Sequence, residues 1–380
     1  MSENTISNSS ALEKACRWIR PLIKKIDAYH VADASGLIKL DAMENPYRLS
    51  DDLLETLQEK LADADLNRYP DPSAKRLRDK LREVMQVPEN KSIVLGNGSD
   101  ELIQMLAMAV VGVNNDVDKG GKDVCLMSFD PGFVMYKMIS DFVGIKYVGV
   151  TLREDFSLDM QSTRKAIKEN QPAIIFIAYP NNPSANCYSE KDIEEIISIA
   201  PGIVVLDEAY HPFAQTSFMP RLTQCDNLLV MRTVSKMGLA GLRLGLLCGH
   251  SDIINEIDKI RLPYNINVLT QITAEFVLDN IDELNQQAKM IREEREILLG
   301  KMNAMLALRV FPSQANFILF RVLEKSANDV FESIKKSGVL IKNMKADSGL
   351  LKNCLRVTVG TPNENLAFLA ALALAIKSEQ

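Results

Sequence analysis

The sequence contains few histidines and cysteines, and their spacing excludes several kinds of site. Only three histidines occur among 380 residues, and none lies at metal-ligand spacing from another. The six cysteines are far apart and form no C-x-x-C pair, which indicates neither a zinc site nor a secreted disulfide framework. We therefore expect no bound metal, reduced thiols and a cytoplasmic location.

The chain also lacks an excess of positive charge and any long apolar run. Its 44 Lys and Arg residues against 50 Asp and Glu residues give a net charge of −6, which argues against a nucleic-acid partner. The opening segment MSENTISNSS has neither the basic nor the apolar part of a signal peptide, and no apolar run is long enough to cross a membrane. We expect a protein without membrane attachment.

Hydrophobic residues make up 47% of the whole chain. Over its first two thirds, short apolar runs alternate with helical segments. The runs are DVCLMSF, KYVGVTL, AIIFIAY, IVVLDEA, NLLVMRT and RLGLLCG. Runs of this kind are typical of strands buried on both faces. They predict an α/β fold, with a mainly parallel central sheet and helices on both faces.

The pattern changes near residue 275. A long amphipathic helix over 281–306 precedes strands around 307–311, 315–322, 339–342 and 354–359 and a final helix. Thr361, Pro362 and Glu364 are typical of the start of that last helix. We predict a large cofactor-binding domain over 41–275, and a smaller α+β domain over 276–380 that is joined by an N-terminal arm over 1–40.

Polar side chains follow several predicted strands, at the edge where open parallel sheets bind ligands. Asp207 ends one strand and Tyr210 follows it, while Asn182 follows another strand. Lys236 comes between an apolar run and a glycine-rich loop. Because an ammonium is seldom buried without a partner, this setting favours a functional lysine.

The segment GNGSDE predicts an anion site. A helix that begins at Ser99 offers the free amide groups of Ser99 and Asp100 and a partial positive charge. Ser235 and Arg243 could close around the same anion. A phosphate group fits this set of donors.

Together these groups predict a site for pyridoxal 5'-phosphate. Lys236 can form a Schiff base with an aldehyde, and Asp207 can keep a pyridine nitrogen protonated. Tyr210 and Asn182 can hydrogen-bond a ring oxygen, and Phe133 could cover the ring face. The anion site would take the phosphate.

Each part also has a purely structural interpretation. Asp207 could be a helix N-cap, the Asn182-Pro183 pair an ordinary turn and GNGSDE a bare helix start. Lys236 could extend along an apolar surface to reach water. The occurrence of all these parts in one chain favours the cofactor site.

The same segments resemble the aspartate-aminotransferase superfamily of pyridoxal phosphate enzymes, across essentially the whole chain. Within it the closest resemblance is to the histidinol-phosphate aminotransferases. It rests on LDAMENPY, RYPDP, GNGSDELI, YPNNPSA, TVSKMGLAGLRLG, PYNIN, PSQANFILFR and CLRVTVGT. The resemblance implies a ping-pong transamination between L-histidinol phosphate and 2-oxoglutarate, which gives imidazole-acetol phosphate and glutamate in histidine biosynthesis.

The resemblance also implies roles for individual residues. Lys236 would hold the cofactor and move the proton, and Tyr69 would reach the cofactor phosphate of the neighbouring subunit in a homodimer. Tyr29, Lys342 and Arg356 would surround the phosphorylated amino-alcohol substrate. Two of these have simpler interpretations, because Tyr29 could only pack the arm and Arg356 could be a surface charge.

Four positions depart from the pattern of that family. Met43 stands where Asn is usual, Ser184 and Ala185 replace Thr-Gly, and Lys342 stands where Arg is common. The lysine bears on the substrate, because an ammonium cannot grip a phosphate in the bidentate way of a guanidinium. Three alternatives stay open: an aromatic amino-acid aminotransferase, a threonine-phosphate decarboxylase, and a non-enzymatic effector domain of the same fold.

Overall fold

The computed structural model describes residues 11–26, 28, 32–112, 123–346 and 348–377. The strands are β1 (Ile38–Lys39), β2 (Ser92–Gly96), β3 (Cys125–Asp130), β4 (Lys146–Thr151), β5 (Ile174–Ala178), β6 (Ile203–Asp207), β7 (Leu228–Thr233), β8 (Gly245–Gly249), β9 (Leu308–Val310), β10 (Phe317–Val322), β11 (Val339–Leu340), β12 (Lys342–Asn343) and β13 (Cys354–Thr358). The α-helices are α1 (Ala11–Trp18), α2 (Pro21–Lys24), α3 (Asp51–Ala62), α4 (Lys75–Val84), α5 (Ser99–Val110), α6 (Val134–Val143), α7 (Met160–Asn170), α8 (Glu190–Ile199), α9 (His211–Ala214), α10 (Ser251–Asp258), α11 (Val268–Asp279), α12 (Ile281–Asn303), α13 (Ala327–Lys336) and α14 (Pro362–Ile376).

Seven strands form the central sheet, in the order β2-β8-β7-β6-β5-β3-β4. The pairs from β7 to β4 are parallel, whereas β8 runs antiparallel to both of its neighbours. The prediction of a mainly parallel sheet is therefore confirmed. Strand β2 was not predicted, because its apolar run is only Ile93 to Leu95 and precedes the conspicuous helix start at Ser99.

The sheet is buried on both faces, as its apolar runs indicate. Along β5, Ile175 and Ile177 pack in one cluster with residues of α4, α7, α8 and α11. The alternate residues Ile174 and Phe176 pack in a second cluster with residues of α5, α6 and α10. The period-two alternation of a strand thus covers each face of the sheet with helices.

A second, four-stranded antiparallel sheet has the order β12-β13-β10-β9 and packs with α12, α13 and α14. Helix α14 begins with the expected capping box, in which Thr361 and Glu364 satisfy each other's backbone amides. The N-terminal strand β1 pairs with β11, which joins the segment before residue 40 to this smaller unit. The exact division into domains at residues 40 and 275 stays a prediction.

The parallel strands bring their carboxyl ends to one edge of the central sheet. Ala178 at the end of β5 is the register partner of Asp207 at the end of β6. Thr233 ends β7 at the same edge, just before Lys236. Within the described ranges, no helix combines the length and apolar character that crossing a membrane requires.

Candidate active site

Two adjoining cavities open at this edge of the central sheet. The inner cavity, of about 110 Å³, is lined by Met43, Ser99, Asp100, Phe133, Ala178, Pro180, Asn182, Asp207, Ala209, Tyr210, Thr233, Ser235, Lys236 and Arg243. The outer cavity, of about 660 Å³, includes Lys342 and Arg356 and shares Met43, Phe133 and Asn182 with the inner one. The structure therefore brings together most of the side chains that the sequence singled out.

Lys236 points into the inner cavity rather than towards solvent. Its Nζ donates a hydrogen bond to the carbonyl oxygen of Ala42 at 3.2 Å. Burial, followed by the positive charge of Arg356, lowers the pKa of Lys236 to about 8. A large share of this amine is therefore neutral in mildly alkaline solution, as a nucleophile requires.

Asp207 is buried at the end of β6, with 4% of its surface exposed. Its Oδ2 accepts a hydrogen bond from the Tyr136 hydroxyl at 2.7 Å, and its Oδ1 accepts one from the Ala209 amide at 3.1 Å. Burial raises the pKa of Asp207 to about 6. The nearest helix, α9, has Tyr210 as its N-cap, so Asp207 is not the helix cap that it could have been.

Asn182 links Tyr210 to Arg356. Its Nδ2 donates to the Tyr210 hydroxyl at 3.1 Å, and its Oδ1 accepts from Arg356 Nη1 at 2.5 Å. Arg356 Nη2 also donates to the carbonyl oxygen of Asp41 at 3.1 Å. Because only 7% of Arg356 is exposed, the interpretation of this residue as a surface charge is wrong.

The start of α5 and the guanidinium of Arg243 face the same cavity. Arg243 lies 3.5 Å from Ser235 Oγ and 3.3 Å from Asp100 Oδ2. Gly98 permits this approach, since its φ is +87° and a Cβ there would lie 2.5 Å from Arg243 Nη2. The free amides at Ser99, the hydroxyl of Ser235 and the guanidinium form a cup of anion donors.

Two cations stand side by side at the outer cavity. Lys342 on β12 is the register partner of Arg356 on β13, so both side chains leave the same face of the small sheet. Burial, followed by the positive charge of Arg356, lowers the pKa of Lys342 below its ordinary value. This mutual repulsion favours occupation of the space between them by an anion.

Two further predicted residues, Tyr69 and Tyr29, are not among the residues that line the two cavities in the described structure. Tyr69 lines neither cavity; it is 79% exposed, and its ring stacks on that of Tyr264 at 4.4 Å between centroids. Tyr29 lies outside the described residues. The described structure therefore shows no contact of Tyr69 with the site within this single chain.

The departures from the family pattern lie at the site without removing its polar groups. Met43 lines both cavities, and Asn316 and Thr358 hydrogen-bond its backbone. Ser184 hydrogen-bonds Asn181 and Asn186. Ala185 has a φ of +65°, a left-handed conformation that a glycine would adopt with less strain.

The sequence missed two polar side chains in or beside the inner cavity. Thr233 donates its hydroxyl proton to Ser235 Oγ at 2.8 Å, and Tyr136 holds Asp207. Tyr136 follows Phe133 by three residues, a spacing that places both on one face of a helix. That spacing was a usable signal, although a tyrosine in an apolar helix is most often only part of the core.

Comparisons with known proteins agree with this architecture. Residues 35–372 match the family described as aminotransferase class I and II. Histidinol-phosphate aminotransferase 2 of Nitrosococcus oceani is 50% identical over 96% of this chain and 99% of its own length. Histidinol-phosphate aminotransferase 1 of Ralstonia nicotianae is 49% identical over 95% of each chain.

Solved structures show the same fold. The histidinol-phosphate aminotransferase of Clostridium acetobutylicum aligns with a TM-score of 0.79 at 22% identity, over 89% of this chain and 99% of its own. That of Sinorhizobium meliloti, solved in complex with pyridoxal-5'-phosphate, has a TM-score of 0.79 at 21% identity over 94% and 96%.

Proposed function

Because the chain belongs to the class I and II aminotransferases, we propose that it transfers an amino group between L-histidinol phosphate and 2-oxoglutarate with pyridoxal phosphate as cofactor. Relatives of about 50% identity over nearly the full length carry the name histidinol-phosphate aminotransferase, which supports a place in histidine biosynthesis. The structural observation that carries the substrate choice is the pairing of Lys342 with Arg356 at the outer cavity.

The residues of the inner cavity fit pyridoxal phosphate. When bound, this cofactor supplies an aldehyde that takes up an amino group and a ring that stabilises negative charge at the reacting carbon. Among the described residues, the buried Asp207 carboxylate accepts hydrogen bonds from the Tyr136 hydroxyl and the Ala209 amide but from no cation, and a protonated ring nitrogen would provide one. The cup at Ser99, Ser235 and Arg243 would hold the phosphate.

The other polar side chains have complementary tasks. Lys236, with its lowered pKa, would hold the cofactor through Nζ and would move the proton at the reacting carbon of the substrate. Tyr210 and Asn182 would donate hydrogen bonds to the phenolic ring oxygen of the bound cofactor. Burial raises the pKa of Tyr210, so its hydroxyl stays protonated and can serve as a donor.

The outer cavity suits a phosphorylated substrate better than the alternatives. A phosphate monoester carries close to two negative charges at neutral pH, and the two cations at Arg356 and Lys342 can balance them. An aromatic amino acid would bring one carboxylate, a single negative charge for the two cations. The buried, hydrogen-bonded Lys236 argues against a non-enzymatic effector domain, which needs no reactive amine.

Steady-state kinetics with both substrates test the proposed reaction. Initial rates measured over a grid of L-histidinol phosphate and 2-oxoglutarate concentrations should give parallel double-reciprocal lines, because one product leaves before the second substrate binds. Glutamate should form in equal amount to the keto product. Converging lines, or consumption of histidinol phosphate without glutamate, would contradict the proposal.

Replacing Lys342 with alanine should weaken use of the phosphorylated substrate. Loss of one charge-assisted bond costs roughly 1.5 to 3 kcal/mol, so kcat/KM for histidinol phosphate should fall on the order of ten- to a hundredfold. Cofactor affinity should not change, since Lys342 does not line the inner cavity.

Two further variants are controls for this result. Lys345→Ala removes a neighbouring exposed lysine that lines neither cavity and should leave kcat/KM unchanged. Lys342→Arg keeps the positive charge and should retain most of the activity. If kcat/KM for histidinol phosphate is the same in Lys342→Ala as in wild type, or if Lys345→Ala lowers it as much as Lys342→Ala does, Lys342 does not bind the phosphate.

We also propose a cytoplasmic homodimer in which Tyr69 completes the partner's site. Leu66, Tyr69, Leu262 and Tyr264 are exposed apolar or aromatic side chains in two loops joined by the tyrosine stack. An exposed cluster of this kind favours a protein interface. The six cysteines, none of them in a disulfide, support a reducing compartment.

Mixed subunits test the shared site. A Tyr69→Phe subunit with an intact Lys236 should regain activity when it exchanges with a Lys236→Ala subunit, because the partner supplies Tyr69. With random pairing the mixture should reach roughly a quarter of the wild-type rate. If native mass spectrometry shows hybrid dimers while the rate stays at the mean of the two parents, Tyr69 acts within its own chain.

A further inference from the structure

Tyr136 on α6 connects three parts of the site. Its ring is 1% exposed and stacks on Phe176 of β5, with 4.8 Å between centroids and 11° between planes. Its edge meets Phe133, the N-cap of α6, at 5.4 Å and 86°. Its hydroxyl donates to Asp207 Oδ2 at 2.7 Å. No other described residue makes both of these contacts to Asp207 and Phe133.

The hydrogen bonds on Asp207 fix the orientation of its carboxylate. Oδ1 accepts from the backbone amide of Ala209, and Oδ2 accepts from Tyr136. Rotation about the Cβ–Cγ bond would break both bonds inside a buried site, where each lost bond is expensive. Each oxygen keeps a lone pair, so the carboxylate can still accept a hydrogen bond from a protonated ring nitrogen.

The stacking contact fixes Tyr136 itself. Phe176 lies on a strand of the central sheet and is fully buried, so the tyrosine ring rests on a rigid surface. The perpendicular contact then supports Phe133, which lines both cavities. A movement of Tyr136 would therefore disturb both the carboxylate and the aromatic wall.

We infer that Tyr136 is a positioning residue for the reaction: its hydroxyl orients the Asp207 carboxylate, and its ring holds Phe133 in place at the wall of the inner cavity. This inference rests on the proposed function, since it concerns the same bound cofactor. The competing interpretation is a core tyrosine whose hydroxyl merely needed an acceptor. The two differ in what removal of the hydroxyl does to cofactor binding and turnover.

The charges around Asp207 give the direction of a pH effect. Burial is the largest influence and raises the pKa of Asp207, the Tyr136 hydroxyl and the Ala209 amide lower it, and the negative charges of Asp100 and Glu208 raise it. Removal of the Tyr136 hydroxyl therefore leaves a carboxyl group that protonates at a higher pH. A protonated Asp207 no longer neutralises the ring nitrogen, so cofactor affinity should begin to fall at higher pH than in wild type.

The test compares Tyr136→Phe with a matched control. Tyr188→Phe removes the hydroxyl of another buried tyrosine, one without a hydrogen-bond partner in the described structure, from the opposite face of the sheet. Fluorescence titration with pyridoxal phosphate, across a range of pH, gives the affinity. Tyr136→Phe should bind pyridoxal phosphate on the order of tenfold more weakly than wild type. On acidification, its affinity should begin to fall at a higher pH than that of wild type.

Turnover separates positioning from simple packing. In the fully loaded protein, kcat of Tyr136→Phe should fall on the order of tenfold, while KM for histidinol phosphate stays within about twofold because Arg356 and Lys342 are intact. Tyr188→Phe should match wild type in affinity, kcat and pH profile. Equal affinity and pH profile for Tyr136→Phe and wild type would overturn the inference.

A double-mutant cycle shows whether the hydroxyl acts through Asp207. In an Asp207→Asn background the further change Tyr136→Phe should weaken cofactor binding by less than about twofold, because the carboxylate that the Tyr136 hydroxyl orients is absent. A full tenfold loss in that background would contradict the inference. Failure of the wild type to bind pyridoxal phosphate or to transaminate would instead refute the proposed function, so the two failures are distinguishable.

Discussion

Lys236→Ala should abolish transamination and leave no covalently bound cofactor. Lys236 supplies the only amine of the inner cavity, among the residues that the structure describes. Its Nζ is held in place by the Ala42 carbonyl, and its lowered pKa makes it nucleophilic in mildly alkaline solution. The rate should drop by several orders of magnitude, because the nucleophile and the proton carrier are lost together.

Borohydride reduction locates the amine directly. After reduction of the loaded wild-type protein, peptide mass spectrometry should find the pyridoxyl group on Lys236. Lys137 and Lys342 line the outer cavity and are the nearest competitors, so Lys137→Ala is the matched control and should keep the label at Lys236. A label on either competitor in the wild type would contradict the assignment.

Asp207→Asn should lower kcat by about a thousandfold while the fold is kept. A carboxylate about 4 Å from a protonated ring nitrogen is worth roughly 4 kcal/mol at an effective dielectric of about 20, which corresponds to about a thousandfold in rate. Asparagine preserves the volume. Its Oδ1 can accept the hydrogen bond from the Ala209 amide, while its Nδ2 can donate one to the oxygen of the Tyr136 hydroxyl. The measurement is kcat together with cofactor affinity in the variant.

Asp207→Asn should increase the stability of the cofactor-free protein, although it lowers kcat. The folded-state pKa of Asp207, about 6, is raised above its ordinary value, so the contribution of this group to stability is lost as the pH rises through about 6. At neutral pH the ionised carboxylate therefore destabilises the fold, and Asp207→Asn should raise the melting temperature. This gain should shrink as the pH falls below about 6.

Asp130→Asn is the control for both measurements. Asp130 ends β3, which β5 separates from the strand of Asp207, and it also accepts a tyrosine hydroxyl, from Tyr147 at 3.0 Å, but it does not line the inner cavity. Its replacement should leave cofactor affinity unchanged. An Asp207→Asn protein with near wild-type turnover would show that this carboxylate has no role towards the cofactor.

Local patterns in the sequence were sufficient to predict the central sheet. Runs such as AIIFIAY and IVVLDEA are apolar on both faces, and polar residues mark the point where each strand ends. Parallel strands place these ends at one edge, which is why Asp207, Asn182 and Lys236 could be assigned to one site. The edge strand β2 escaped prediction because three apolar residues are too short a signal.

Contacts between distant segments could not be predicted in the same way. The bond from Arg356 to the Asp41 carbonyl spans the N-terminal segment and the small sheet, and nothing local to either residue indicates it. The Tyr136 hydroxyl meets Asp207 only after α6 packs against β5 and β6. Such contacts depend on how the helices pack against the sheet, whereas the strand pattern depends only on residues that are close in sequence.

The ratio of kcat/KM for L-histidinol phosphate to that for phenylalanine, with 2-oxoglutarate as acceptor, tests the central claim most directly. The paired cations at Lys342 and Arg356 predict a preference for the phosphorylated substrate on the order of ten- to a hundredfold, since the phosphate can engage both cations and the carboxylate of phenylalanine only one. Equal use of both substrates, or a preference for phenylalanine, would contradict the account.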